Sequence, residues 1–166
     1  MLLMRHPIST KKAYALLGML LGILPPAAIF IKIFGYGLVS AQRGALVFIL
    51  CLAMNLACAV TGHAIGSIVG QPMHDVERWS WSKMLLVLPL MGAAWGTVAG
   101  TAGGLLFFGI GAVFGAFCAI PVGIAAFILF APFHRLLARG GMIDARHFWP
   151  LACGVMMIIA ALILGM

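Results

Sequence analysis

Few side chains in this sequence could hold a metal or a cofactor or move a proton, and their spacing limits what they can do. Five histidines (His6, His63, His74, His134 and His147), four cysteines and three carboxylates make up the stock of candidate ligands. Only His63 among the histidines falls inside an apolar run. A haem with two axial histidines needs rings from different helices inside a bundle, so this set does not supply one. An imidazole in a membrane span is costly unless it finds a partner, so His63 is expected to face another helix or a cavity. Asn55, eight residues away on nearly the same face, completes the first candidate polar site.

A second candidate lies in the polar stretch QPMHDVERWSWSK, residues 71–83. His74 and Asp75, with Glu77 beside them, could bind a metal or a quinone headgroup, but their spacing fits no established ligand pattern and hydrated loops gather such residues anyway. No Asp or Glu occurs inside any apolar run, which argues against proton-coupled pumps and most cation transporters. There is no Gly-x-Ser-x-Gly, His-Glu-x-x-His or P-loop, so the sequence is not that of an enzyme of those classes. Cys51, Cys58, Cys118 and Cys153 all lie in apolar runs without a Cys-x-x-Cys or a zinc-ligand partner; Cys51 and Cys58, seven apart, share a helix face and read as small hydrophobes. No cofactor and no metal are expected.

The elements that position these residues follow from composition. Hydrophobic residues make up 64% of the 166 and charged residues 8%, too few charges to cover a water-exposed surface. Lipid must do the covering. The net charge of +7 does not indicate nucleic acid, because the basic residues sit between apolar runs instead of clustering on one face. The pattern predicts an all-α integral membrane protein, one domain of five transmembrane helices over about 14–39, 44–70, 84–107, 112–133 and 148–166. The basic start before the first span looks like a signal peptide, but the site after Ala28 has Pro26 at −3 where a peptidase needs a small residue, so the segment reads as a retained helix. Pro25–Pro26 predicts a kink or break in the first span, with Lys32 snorkelling beyond it. Residues 84–133 carry no charge and are too long for one crossing; Gly109 and Gly111 near the middle are the expected turn. Gly140–Gly141 breaks the last linker.

Basic residues vote on orientation. Arg5, Lys11, Lys12, Arg78, Lys83, Arg135, Arg139 and Arg146 fall on one side and Lys32 and Arg43 on the other, eight against two. The positive-inside rule then places the N-terminus in the cytoplasm and the C-terminus outside, and Trp79, Trp81 and Trp149 at the cytoplasmic interface.

The strongest motif is a packing motif. Gly92, Gly96, Gly100 and Gly104 recur every four residues; Gly111, Gly115, Ala119 and Gly123 continue the spacing; Gly62, Gly66 and Gly70 repeat it, as do Gly18 and Gly22. Helices in lipid gain little from hydrophobic attraction, and such small-x-x-x-small rows, a glycine-zipper pattern, allow close backbone approach. Spans three and four are expected to form a packed hairpin with span two against it; the competing reading is a narrow path lined by backbone. Three functional classes follow. The first is a structural or accessory subunit of a larger membrane complex; in any class the expected partners are the lipid bilayer and other membrane-protein subunits or self-association. The second is a small channel or transporter whose path uses Asn55, His63 and the glycine rows. The third is an electron-transfer subunit associated with haem or quinone. Short linkers suit a bacterial inner membrane.

Overall fold

Polar caps mark where the helices start. In the computed structural model, which describes residues 6–35, 44–73 and 79–165, the Ser80 hydroxyl accepts from the Lys83 amide at the start of one helix, and Asp144 accepts from the Arg146 amide at the start of another. Each satisfies an amide that the first turn cannot pair. Five long helices result: α1 Thr10–Gly35, α2 Gly44–Val69, α3 Trp81–Gly104, α4 Phe108–Leu137 and α5 Ala145–Leu164. All five are long and apolar enough to cross a membrane; the shortest, α5, has 20 residues and spans about 30 Å.

Several boundaries differ from the expected ones. α1 starts four residues before 14 and ends at Gly35; residues 36–39 lie outside the described residues. α1 continues unbroken through Pro25 and Pro26. The prolines withhold donors from the carbonyls of Leu21 and Gly22, and the Asn55 amide donates to the next carbonyl, that of Ile23, at 3.1 Å. This is how a neighbouring helix supports a proline site in lipid. The turn between α3 and α4 is a short 3-10 segment, Leu105–Phe107, and not Gly109 or Gly111. Gly104 packs directly on Gly111, so the chain must reverse between them, and Gly111 belongs to the helix contact.

Five antiparallel or parallel neighbours build the bundle. α1 pairs with α2 and α3 with α4 as two hairpins, α2 lies against α3, and α5 packs on α1 and α4. The structure adds a two-stranded antiparallel sheet that the spacing of apolar residues did not predict: β1 Pro7–Ser9 pairs with β2 Met142–Asp144. Gly140 and Gly141, at φ 60° and 72°, make the two-residue reversal before β2, where Arg139 and Met142 exchange backbone bonds of 2.8 and 3.3 Å. Two successive left-handed residues favour glycine at both positions. Thr10 ties the sheet to α1, its hydroxyl donating to the Gly141 carbonyl at 2.9 Å.

Candidate functional site

The glycine rows face backbone. A methyl added at Gly92 would meet Gly123 and Ile124, at Gly96 Ala119 and Ile120, at Gly100 Gly115, and at Gly104 Gly111. The α3 row therefore lies in antiparallel register against the α4 row over four successive contacts, about 18 Å of helix. The first hairpin repeats this: Gly18 opposes Gly62, Gly22 opposes Cys58 and Ala59, and Gly66 and Gly70 receive Tyr14 and Lys11. Both seams are closed main chain to main chain, with no lumen between the paired helices.

The polar groups on the spans are used in the same way. Besides Asn55, the Trp95 indole nitrogen donates to the Gly62 carbonyl at 3.2 Å, joining α3 to α2, and the Cys58 thiol donates to the Ala99 carbonyl at 3.5 Å. Thr61, Thr97 and Thr101 donate back to carbonyls four residues earlier on their own helices at 2.6–2.8 Å. Lys32 donates to the Ile163 carbonyl at 2.9 Å. A cation there complements the negative end of α5, a more specific role than snorkelling alone.

His63 does not face a helix or a cavity. It is exposed on the outside of the bundle, and no hydrogen bond to it is found among the described residues. The inward face of α2 carries Cys51, Cys58, Ala59, Gly62 and Gly66; His63, one residue past Gly62, is turned about 100° away from that face. Asn55 faces α1, so the two residues do not form one site. His74 and Asp75 lie outside the described residues.

A buried polar cluster that the sequence reading did not single out lies at the end where β1 and β2 meet. His134 was expected in a hydrated linker, but α4 extends through Leu137 and its ring is fully buried. It stacks on Phe130 at 5.5 Å between centroids and meets Tyr14 edge-on at 5.2 Å. Tyr14 is also fully buried, against Phe127 and Phe130, and its hydroxyl has no hydrogen-bond partner among the described residues. The spacing of Phe127, Phe130 and His134, three and then four residues, would have placed them on one helical face. Basic side chains ring this end: Lys83 lies over Trp79 at 4.8 Å and Arg135 over Trp81 at 4.5 Å, both cation–π contacts.

The two hairpins do not meet everywhere. Between them lies a cavity of about 80 Å³ walled by all four of their helices, with no charged, hydroxyl or amide side chain in its lining. No cluster of three or more potential metal ligands occurs among the described residues. The cavity lining carries two thiols, Cys58 and Cys118, with no histidine, carboxylate or amine beside them, so the arrangement offers apolar binding and tight packing. Compared with known families, curated proteins and solved structures, the chain matches none.

Proposed function

We propose that the protein is a small integral membrane subunit that packs within a larger membrane complex and carries no chemistry of its own. The observation behind this reading is the closure of both glycine rows on backbone: Gly92, Gly96, Gly100 and Gly104 meet their α4 partners directly, which leaves no backbone-lined path in either hairpin. Of the polar groups that a path would use, Asn55 is committed to a main-chain carbonyl of α1 and His63 lies on the outside of the bundle, while Thr61, Trp95, Thr97 and Thr101 also donate to carbonyls. Outside, large apolar side chains such as Phe48, Leu52, Phe114 and Phe117 are exposed. Grooves run between the paired helices, one of about 490 Å³ between α1 and α2, and these suit side chains of neighbouring helices as well as lipid.

In this reading the N-terminus is cytoplasmic and the C-terminus outside. Lys11, Lys12, Lys83, Arg135, Arg139 and Arg146 lie at or beyond the helix ends on one side of the hairpin topology, with Lys32 near the other end. A bacterial inner membrane fits the short linkers. Extraction from native membranes in mild detergent, followed by identification of what co-purifies, tests the assignment. Other membrane proteins in fixed ratio support it; a chain that elutes alone or only with its own copies contradicts it.

A further inference from the structure

A polar side chain in a membrane span that finds no partner inside its own bundle points to a partner outside it. Asn55 and His63 are two such residues on α2. An amide offers two N–H donors and a carbonyl acceptor. One N–H of Asn55 goes to the Ile23 carbonyl; the other N–H and the side-chain carbonyl have no partner among the described residues. His63 is exposed and has none at all among them. With 26 residues, α2 is about 39 Å long, and Asn55 stands about 17 Å from its start and His63 about 9 Å from its end. A phospholipid acyl chain has no polar group at those depths, so hydrocarbon leaves the amide and the imidazole unsatisfied, at a cost in free energy.

The surface around these residues is shaped to receive a helix. α1 and α2 are closed main chain to main chain as far as Gly22 and Ala59. Beyond that contact α1 has no glycine through residue 34 and α2 none from 45 to 61. Larger side chains hold the two helices apart there, and the groove of about 490 Å³ opens between them. Asn55 lines it, with Phe30 and Phe34 on α1 and Phe48 and Leu52 on α2; the last two are more than half exposed. At about 100° per residue, Leu52 and His63 lie about 60° and 80° round α2 from Asn55 in the same sense, so the groove and His63 share one side of the helix. α2 is also the least buried of the five helices. We propose that this side of α2 seats one transmembrane helix of a different subunit, which fills the α1–α2 groove with apolar side chains and sets hydrogen-bonding side chains against Asn55 and His63. A second copy of this chain does not meet both needs. Copies in one membrane pair about an axis along the membrane normal, which sets like residues at like depths. Asn55 and His63, about 80° apart round the helix, cannot both lie on that axis and meet their counterparts.

The assignment rests on the reading of the chain as a subunit of a larger complex, and its test separates the two. A photoreactive benzoylphenylalanine placed at Leu52 or at Leu56 of the full chain, in native membranes, reports what lies against α2; the same probe at Phe117 on α4, also exposed, is the control. Leu52 and Leu56 should crosslink to one transmembrane segment of another protein, and Phe117 should not reach that segment. The captured segment should carry hydrogen-bonding side chains about eight residues apart, which matches the roughly 12 Å from Asn55 to His63 along α2. Retention of that protein through mild detergent extraction should fall about threefold in His63→Leu, the weight of one interhelical hydrogen bond in lipid. His63→Gln, which keeps a donor and an acceptor, should hold it. His63 has no bond inside the bundle among the described residues, so the isolated variants should unfold with the parent. Crosslinks to lipid alone or to a second copy, a captured segment without such side chains, or retention indifferent to His63→Leu would each overturn the assignment while the subunit reading stands. A parent chain that elutes alone from the same extraction would overturn both.

Discussion

Replacing Gly100 by alanine adds one methyl group at a point where the α3–α4 seam has no slack. The new carbon would sit 2.6 Å from the Gly115 carbonyl carbon and 2.7 Å from the Ala119 methyl, with the Gly115 oxygen nearer still. Unbonded carbons rest at about 3.5–4.0 Å, so the two backbones must separate by roughly 1 Å there. Main chain on the far side cannot rotate away as a flexible side chain would, and the separation weakens neighbouring contacts along the row. Overpacking of this sort costs about 1–3 kcal/mol. Alanine also suits a helix better than glycine by about 0.5–1 kcal/mol, which would mask part of the loss. Gly154→Ala on α5 supplies the control, since a methyl there meets nothing within 4 Å. The propensity gain is common to both variants, so the difference between them isolates the seam, and it should be about 1–3 kcal/mol. Unfolding of both variants in detergent, by heat or by a denaturing detergent, measures it. Equal stability of Gly100→Ala and Gly154→Ala would refute the seam, and with it the reading of the glycine rows as closed packing. Gly96→Leu and Gly100→Leu should be worse than alanine, because a leucine has nowhere to go between Gly96 and the backbone of Ala119 and Ile120.

Trp95→Phe keeps a ring against Gly18 and Gly62 but removes the donor to the Gly62 carbonyl; a loss of about 0.6–1.5 kcal/mol is expected in the same unfolding assay. Thr10→Val removes the hydroxyl bond to Gly141 while keeping the side chain's shape, at a cost of about 1 kcal/mol, and hydrogen exchange of residues 142–144 should quicken. His63→Leu should leave the isolated chain within about 0.5 kcal/mol of the parent, since the imidazole is exposed and has no hydrogen-bond partner among the described residues; a loss above 1 kcal/mol would place a partner on it inside the bundle.

Hydropathy made the helices legible because lipid imposes a long apolar run on each crossing, and the four-residue glycine spacing has a direct geometric meaning on a helix. Finer placement depended on which face each residue takes. His63 read as a site because it is polar inside an apolar run, but α2 turns Gly62 inward and carries the next residue outward. Asn55 read as part of a polar path and instead supports α1 beside its two prolines. His134 was hidden by its position after a run of apolar residues that ends at Phe133, although its spacing from Phe127 and Phe130 puts it on their face. The β1–β2 pairing left no trace because strands of three residues are too short to show a two-residue alternation. The central cavity could not be read at all. It arises from how two hairpins meet, and no single helix carries its pattern.

The most direct test of the central claim, that the glycine rows are closed seams and the chain has no path of its own, is ion conductance of the purified protein alone in planar bilayers. The account predicts a conductance indistinguishable from protein-free membranes for the parent and for Gly100→Leu. A parent conductance that Gly100→Leu abolishes, while the variant unfolds at the parent's temperature, would contradict it.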